Sequence, residues 1–497
     1  MITGIIFGYL AIVLLIGLLS HRLFRGTGTD FFLASRSIGS FVLLMTLFGT
    51  HMTAFSILGA SGEAYHNGIG VFALMASSSA LMVPVTIFFL GPRLWEIGKR
   101  HNFVTQVEFF RARYQSDVLG LLLFAVIVLL MIPYLLIGVM GGGITMNSMT
   151  GGAIPRWVGS IIVCAVIYTY VAYSGLRGTA WVNTFQTLVF MILGGAAFFV
   201  IVRSLGGIET AMKTVAEIRP ELLIRGEKIP PVKLFSYTFI PLSVGMFPHI
   251  FMHWLSAKSA RTFRLPIILY PVCIAIVWIP SVLLGVMGNI DFAGLQGPAA
   301  NSVLVQMVAQ YAPGVMGGLL AAGVIAAIMS SLDSQTLALS TMFTHDIVKT
   351  RRNNTLSERG QVWLGRAFAL AILLVTFGLS LIVRQSIFKL AVWSFSGFAA
   401  LLPIAIAAIY WRKSTANGII ASIISVAILW IYYFSMAWDN PGYSVGGSGL
   451  MPVAVMFTVS AVVLIVISLL TKAPEKQVLD NFFSVTLIHK NSRREPS

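Results

Sequence analysis

The chain has 497 residues, of which 57% are hydrophobic and only 10% are charged, and its 33 Lys and Arg residues against 17 Asp and Glu residues give a formal net charge of +16. Soluble globular domains carry roughly a quarter charged residues, so this chain has too little polar surface for an exterior that faces water. The composition therefore excludes an ordinary soluble protein. It indicates a polytopic membrane protein whose solvent is largely the lipid bilayer.

Apolar segments of about twenty residues, each long enough to cross about 30 Å of hydrocarbon, recur along the whole chain. Thirteen spans are predicted, at 2–20, 41–64, 69–90, 118–143, 157–174, 181–203, 234–256, 265–289, 313–343, 363–384, 387–411, 415–436 and 451–471. The first has no basic residue before it and no small-residue cleavage pattern, so we expect a retained span and not a signal peptide. The Gly-rich stretch 141–152 is expected to be a loop.

The distribution of positive charge favours an N-terminus outside and a C-terminus in the cytoplasm. An odd number of spans places the termini on opposite sides, and this orientation puts most Lys and Arg residues in cytoplasmic segments. A short basic cytoplasmic tail is predicted at 472–497. Because the basic residues border the spans and do not cluster on one soluble face, no nucleic-acid binding is expected.

Two acidic residues, Glu63 and Asp333, lie within apolar segments. An ionisable side chain costs about 2.5–3.5 kcal/mol there and marks a functional candidate by default. Glu63 stands in a run of small and polar residues from Gly59 to Gly68, which predicts that the helix breaks and offers main-chain carbonyls to an ion or a substrate. A loop after a shorter span is the alternative.

A second interruption is predicted at Ser243–His249, because Pro248 removes an amide donor from the helix. A simple proline kink is the alternative. The two interrupted spans lie five spans apart and run in opposite directions, which is typical of inverted repeats with a binding site between the two breaks. The predicted order is an extra N-terminal helix at 1–20, repeats at 41–203 and 234–411, and two further helices at 415–471.

The span at 313–343 carries a stripe of small and hydroxyl residues at helical spacing, formed by Ala327, Ser330, Ser331 and Ser334. A carbonyl and several hydroxyls are hard oxygen ligands that suit a cation such as sodium. For the serines alone, close helix packing is the favoured explanation. It does not explain Asp333 among them.

At these residues the chain resembles the sodium/solute symporter family. Phe31–Gly39, FFLASRSIG, and Ala327–Ile347, AIMSSLDSQTLALSTMFTHDI, are similar to two of its motifs, and the segments 248–259 and 393–418 are similar to parts of proline and pantothenate permeases. The resemblance implies an all-α, leucine-transporter-like fold of two inverted five-helix repeats. It also implies sodium-coupled symport across a prokaryotic plasma membrane, with sodium as coupling ion, no other cofactor and no enzymatic activity.

The resemblance further implies a sodium site. Its ligands would be the main-chain carbonyls of Ala60, Glu63 and Ala327 and the hydroxyls of Ser330 and Ser331. Many members have the element W-x-D-x-x-Q, which appears here as Trp181–Gln186 with Asn183 in place of the Asp. We hypothesise that Asp333, Ser334 and Asn183 form a second sodium or proton site, with a hydrogen-bonded structural Asp333 as the alternative.

A small-molecule solute is expected to bind between the two breaks. The candidate pocket residues are Ser61, Tyr65, Asn67, Phe247, His249 and Trp393. Phe247 stands where sugar-transporting members present a polar amide, so a carboxylate or amino-acid-like solute is favoured over a sugar. The alternatives are proton-coupled symport through Glu63 or Asp333 and, in a different class, a membrane-embedded sensor. The sequence does not predict the oligomeric state.

Overall fold

The computed structural model describes residues 2–20, 36–312, 314–349, 357–440 and 442–483. Within these ranges every regular element is a helix. Eleven helices are long and apolar enough to cross a membrane, and the number rises to thirteen if each of two bent pairs counts as one span. The predicted all-helical fold with about thirteen spans is confirmed. Residues 31–35 of the first motif and the tail beyond 483 lie outside the described residues.

We number the spans α1 to α13, with α2 and α7 each made of two halves. Their bounds are α1 Ile2–Ser20, α2a Ser40–His51, α2b Phe55–Asn67, α3 Gly70–His101, α4 Asp117–Met149, α5 Arg156–Tyr173, α6 Gly178–Ser204, α7a Pro231–Gly245, α7b Pro248–Ser256, α8 Ala260–Met287, α9 Val315–Val348, α10 Arg359–Ile382, α11 Ile387–Tyr410, α12 Ala416–Ala437 and α13 Pro452–Leu470. Shorter helices occupy Gln106–Tyr114, Ile208–Ile218, Val303–Tyr311 and Lys476–Phe483.

The first break lies between α2a and α2b, whose axes meet at 58°. Met52 leaves the helix with φ −83° and ψ 103°. The Thr53 hydroxyl accepts a hydrogen bond from the Phe55 amide at 3.0 Å. A threonine that satisfies a free amide in this way stabilises the start of a helix. The chain therefore stops one helix and begins the next within three residues.

The prediction of a break between Gly59 and Gly68 is wrong, because α2b is helical as far as Asn67. The small residues of this stretch instead allow close packing. A Cβ atom on Gly62 would lie 3.0 Å from the Asn301 amide nitrogen, and one on Gly285 of α8 would lie 2.3 Å from the Ser61 carbonyl oxygen.

The second break lies at its predicted place, with an angle of 50° between α7a and α7b. Phe247 has extended backbone angles, φ −65° and ψ 122°, and Pro248 occupies the first turn of α7b. Proline fits this position because the first amides of a helix have no intrahelical partner. The residue pattern thus located this break correctly.

The Gly-rich stretch is only partly a loop, since α4 continues to Met149. A Cβ atom on Gly141 would lie 2.6 Å from the Cβ atom of Ala54. The glycine therefore lets α4 approach the first break closely, and the expectation of a loop from residue 141 is wrong.

Helices α9 and α11 form the centre of the bundle and are almost entirely buried, whereas α1, α10, α12 and α13 expose most of their apolar surface. Helix α9 packs against α1, α2a, α4, α10 and the α5–α6 hairpin. This position brings its polar side chains to the first break from one side and to α5 and α6 from the other.

The residues before α2a hold the ends of α3 and α7b together. The Arg36 guanidinium donates hydrogen bonds to the carbonyls of Leu255, Gly98 and Phe103, each at 3.0 Å. Ile38 pairs in parallel with Ala257. We call the Arg36 contacts with these three carbonyls the Arg36 clasp, and they close this end of the bundle.

Candidate functional site

Oxygen atoms of α9 and α2a meet at the first break. The Ser330 hydroxyl donates hydrogen bonds to the Gly49 carbonyl at 2.8 Å and to the Ala327 carbonyl at 3.1 Å. The neighbouring Ser331 hydroxyl donates to the Ile328 carbonyl at 3.1 Å. Because α2a ends at His51, the last carbonyls of α2a have no following turn to bond them. The break therefore presents carbonyl and hydroxyl oxygens to one buried region.

The structure does not bring Ala60 and Glu63 to Ala327. Both lie in α2b, which packs on α8 and on the turn Gly297–Ser302, whereas α9 packs on α2a. At about 1.5 Å per residue, Glu63 lies about 12 Å along the helix from Phe55, where α2b begins. The ligand set is corrected accordingly. The carbonyl that Ser330 contacts is that of Gly49, eleven residues before Ala60, and Met52, eleven residues before Glu63, is the first residue of the break.

A second polar cluster surrounds Asp333. The Tyr170 hydroxyl donates a hydrogen bond to Asp333 Oδ2 at 2.7 Å, and Asn183 Nδ2 donates to the Ser334 hydroxyl at 2.7 Å. All four side chains are buried. Among the described residues, Asp333 Oδ1 and Asn183 Oδ1 have no hydrogen-bond partner. The structure thus brings together Asp333, Ser334 and Asn183, and it adds Tyr170, which the sequence did not indicate.

The second break holds a group of aromatic rings that we call the central cage, formed by Tyr134, Phe247, Phe395, Phe398 and the imidazole of His249. The Phe247 ring centroid lies 5.1 Å from that of Tyr134, 5.3 Å from Phe395 and 5.1 Å from Phe398. His249 stacks on Phe247 at 5.2 Å. Phe247 and His249 were predicted as pocket residues, and both belong to the cage.

Several polar atoms in and beside the central cage have no hydrogen-bond partner among the described residues. The clearest are both ring nitrogens of His249. The Tyr134 hydroxyl and the amide of Gln335, of α9, have only each other as side-chain partners. Buried polar groups are nearly always bonded in folded proteins, so such a concentration of unbonded ones is typical of a place where a ligand binds.

The other pocket candidates lie outside the central cage. The Ser61 hydroxyl donates to the Ile57 carbonyl of its own helix at 2.8 Å. The Tyr65 hydroxyl donates to the Phe292 carbonyl at 2.6 Å. These two side chains therefore have structural partners within and around α2b.

Asn67 and Trp393 are also engaged elsewhere. Asn67 Nδ2 donates to Glu63 Oε1 at 2.7 Å, and the Glu63 side chain is half-buried at the end of α2b. The Trp393 ring packs on Phe434 at 5.6 Å, and its carbonyl accepts a hydrogen bond from Trp430. Trp393 therefore faces α12 and not the cage, while Phe395, two residues later, faces the cage.

Sequence reasoning missed Tyr134, Phe395, Phe398 and Gln335. Gln335 gave a usable signal, because a buried amide inside an apolar span needs a partner. The three aromatic residues gave no such signal. In a hydrophobic span, an aromatic residue can pack on its neighbours or line a pocket, and the sequence looks the same in both cases.

A third polar cluster lies where the helix Gln106–Tyr114, which is outside the spans, meets the end of α9. The Thr105 hydroxyl donates to Asp346 Oδ2 at 2.8 Å. Glu108 accepts hydrogen bonds from the amides of Val104 and Thr105, and its Oε1 lies 3.5 Å from His345 Nδ1. Burial alone would raise the pKa of Glu108. The hydrogen bond from His345, its charge and the hydrogen bonds from the two amides lower the pKa by more, so it lies below its ordinary value.

The chain is similar in sequence to two bacterial symporters. It is 27% identical over 436 residues to the sodium/pantothenate symporter of Escherichia coli strain K12, covering 85% of this chain and 88% of that protein. It is 26% identical over 487 residues to the sodium/proline symporter of Staphylococcus aureus strain bovine RF122 / ET3-1, covering 94% and 92%.

Two solved structures share its fold. A sodium-coupled sialic acid symporter in a substrate-bound, outward-open state superposes with a TM-score of 0.80 at 15% identity, covering 96% of this chain and 99% of the other. A nucleobase-cation-symport-1 family transporter in a closed conformation gives 0.59 at 12% identity, covering 92% and 99%. These similarities assign the leucine-transporter-like fold.

The family model described as the sodium:solute symporter family matches residues 31–425. Its match covers the span with both halves of the first break, the second break and the serine-rich α9. The members of this family are sodium/solute symporters, which are transporters and not enzymes. The chain therefore belongs to the sodium:solute symporter family and is an integral membrane, sodium-coupled symporter of a small solute.

Proposed function

We propose that the protein imports a small carboxylate or amino-acid-like solute by alternating access, with sodium bound between the first break and α9. The ligands would be the carbonyls of Gly49, Met52 and Ala327 and the hydroxyls of Ser330 and Ser331. The observation that carries this proposal is the 2.8 Å contact of the Ser330 hydroxyl with the Gly49 carbonyl.

Two features of this place suit a sodium ion. Its donors are neutral oxygens of main chain and hydroxyls, which hard cations prefer. The proposed sodium site also lies between two separate elements, α2a and α9. An ion bound there would therefore favour the conformation in which these two helices are in contact. Ion binding at such a place changes the relative stability of two conformations, which coupling requires.

The proposed solute site is the central cage, which adjoins the second break. Sodium entering from outside would stabilise the outward-open arrangement and complete the solute pocket. The solute would then close the outer gate, and inward opening would release both ligands. By linkage, the solute must strengthen sodium binding by the same factor as sodium strengthens solute binding.

The driving force is adequate for accumulation. One charge that moves through 100 mV supplies about 2.3 kcal/mol, and a tenfold sodium gradient adds about 1.4 kcal/mol. Together they support a solute gradient of several hundred-fold, on the order of 400, since each 1.4 kcal/mol is a factor of ten.

A second cation site is proposed at Asp333, Ser334 and Asn183. The free Asp333 Oδ1 and Asn183 Oδ1 atoms support it, because an unpaired buried carboxylate oxygen is costly without a partner. The same observation favours the second candidate, a proton carried by Asp333. Glu63, by contrast, is bonded to Asn67 at a half-buried helix end, so less supports a coupling role for it.

Uptake into proteoliposomes tests the coupling ion. We expect accumulation of solute that needs an inward sodium gradient and persists when a protonophore collapses the pH gradient. Uptake that does not depend on sodium but follows the pH gradient would identify the proton, and not sodium, as the coupling ion.

We further propose that the protein lies in a prokaryotic plasma membrane with its N-terminus outside and its C-terminus in the cytoplasm, and that residues 41–203 and 234–411 are the two repeats. The excess of Lys and Arg in the segments that this orientation makes cytoplasmic supports it. Labelling of single cysteines placed at each end by an impermeant reagent tests the orientation.

A further inference from the structure

The short helix Lys476–Phe483, which we call the tail helix, docks on the body of the protein through the side chain of Phe482. This side chain is only 3% exposed, whereas Gln477 of the same helix is exposed. The Phe482 ring stacks on the imidazole of His101, with 5.8 Å between the ring centroids, and meets the Phe109 ring edge to face at 5.5 Å. Among the tail-helix side chains that the structure describes, Phe482 is the buried one.

Two arginines lie beside the docked tail helix. The Arg113 guanidinium lies 5.5 Å from the Phe482 ring and 5.0 Å from the Phe483 ring, and Arg412 pairs with Asp480 at 3.1 Å. Arg113 is buried, and no carboxylate pairs with it in the described ranges. The ring contacts favour docking, while covering an unpaired charge opposes it. A small change can shift a balance between opposing contributions of this kind.

The tail helix is too short to persist without its contacts. It has eight residues, and isolated helices shorter than about 12–15 residues are marginal in water. The chain before it, at 472–475, forms no regular structure. When Phe482 leaves its place, the helix therefore loses what stabilises it. The tail has two states, one docked and helical and the other undocked and unfolded, which is typical of a conformational switch.

One neighbour of Phe482 leads directly to α7b. Phe109 is fully buried, and its ring meets both the Phe482 ring and, at 5.7 Å, the ring of Phe251 in α7b. Closely packed side chains hold one another in place, so that an empty space behind one of them lets it move. Phe482 therefore keeps the Phe109 ring against α7b, and undocking would let this ring withdraw.

The other neighbour of Phe482 leads to the Arg36 clasp. The His101 imidazole stacks on the Phe103 ring at 5.2 Å, and the Phe103 carbonyl accepts a hydrogen bond from Arg36. The same ring of the tail helix thus supports an anchor of the clasp and the aromatic contact that holds α7b. Both supports are lost together when the tail helix leaves.

We propose that the tail helix is a latch for the end of the bundle that the Arg36 clasp closes. While Phe482 is docked, the end of α7b is held against the end of α3, and undocking lets these ends separate. The inference rests on the proposed function only in requiring this end to open during alternating access. It assigns control of that opening to a segment outside all the spans.

Thiol labelling of the purified full-length protein tests the latch. The reporter is Ser256→Cys, at the fully buried last residue of α7b, in a background with Cys164→Ser and Cys273→Ser. A maleimide reaches the reporter only when the clasped end opens, so the labelling rate follows the open fraction when opening is fast. We expect Phe482→Ala to raise this rate about tenfold or more, as for loss of a buried aromatic contact.

Two further variants and a second reporter sharpen the test. Gln477→Ala changes an exposed residue of the same helix and should leave the rate unchanged. A chain that ends after Pro474 lacks the tail helix and should be labelled as fast as Phe482→Ala. Ser302→Cys places a reporter at a buried position beside α2b, at the opposite end of the bundle, and detects general unfolding. Its labelling rate should not rise in any variant.

Equal labelling of Ser256→Cys with and without Phe482→Ala overturns the latch. A rise at both reporters overturns it too, because Phe482 would then stabilise the whole fold and not one end. So does a shortened chain that is labelled as slowly as the full-length protein. The labelling uses neither sodium nor solute, so a negative result leaves the proposed sodium site standing, and uptake independent of sodium would leave a positive result standing.

Discussion

The Ser330 hydroxyl lies 2.8 Å from the Gly49 carbonyl oxygen, to which it donates a hydrogen bond. This contact joins the middle of α9 to the last turn of α2a, where α2 stops being helical. A carbonyl in that turn has no following amide to bond, so a side chain or an ion must satisfy it. The contact therefore supports the proposed sodium site between α2a and α9.

Removal of this hydroxyl should weaken sodium binding specifically. We expect Ser330→Ala to raise the half-saturating sodium concentration for transport about tenfold, which corresponds to about 1.4 kcal/mol. Ser340→Ala is the matched control, because the Ser340 hydroxyl donates to the Leu337 carbonyl of its own helix. Equal sodium dependence of the two variants would contradict the proposed ligand role of Ser330.

Asp333→Asn should change the number of cations that move with each solute. The substitution removes the only carboxylate of the Asp333 cluster among the described residues, so we expect a smaller charge transported per solute and a lower Hill coefficient for sodium. Tyr170→Phe removes the hydrogen bond to Asp333 but keeps the carboxylate, and should keep the stoichiometry. Paired measurements of solute flux and current in proteoliposomes give the charge transported per solute. An unchanged stoichiometry in Asp333→Asn would rule out the second cation site.

Thr53 should determine where α2b begins. Thr53→Val keeps the side-chain shape but removes the oxygen that accepts from the Phe55 amide, so we expect a loss of about 1 kcal/mol of stability, the usual effect of a lost N-cap. Thr53→Ser retains the oxygen and should retain the stability. Unfolding of both variants in detergent provides the measurement, and a Ser variant as unstable as the Val variant would exclude capping as the cause.

Glu108 should make stability depend on acid pH. Its pKa in the folded protein lies below the ordinary value of 4.5, so its ionised form adds stability above that pH, and this contribution disappears as the pH falls through the lowered pKa. The charged or titratable groups that face it are His345, Arg36 and Asp346.

Glu108→Gln keeps an oxygen for the two amides but loses the negative charge, so it should be less stable than the wild type at neutral pH by about 1 kcal/mol, the usual difference between a charged and a neutral hydrogen bond, and the difference should shrink below pH 4.5. Thermal unfolding across this range measures it. Glu217→Gln, which removes an exposed carboxylate, serves as the control. If the difference in stability between Glu108→Gln and the wild type stayed constant with pH, the effect would come from packing and not from the charge of Glu108.

The architecture was predictable because hydrocarbon imposes a length and a composition on every span. The second break was predictable for a similar reason, since Pro248 removes an amide that a helix interior needs. The stripe Ala327–Ser334 and the unusual Asp333 were also visible, because polar residues are rare in apolar spans.

The first break was not located, because small residues have two physical uses. Gly62 and its neighbours appeared suited to an unwound chain, yet they serve close packing on α8 and on the turn at Asn301. The true break carries a weaker signal, a single Thr53 whose hydroxyl caps the next helix. The central cage was hidden for a different reason, since it forms only when Tyr134, Phe247 and Phe395 converge from three helices.

The Arg36 clasp has a consequence for how these two helix ends can move. One guanidinium bonds the Leu255 carbonyl at the end of α7b and the Gly98 and Phe103 carbonyls at the end of α3. The two ends can therefore separate only if Arg36 releases either Leu255 or both carbonyls on the α3 side. A single side chain thus sets how firmly these ends stay joined.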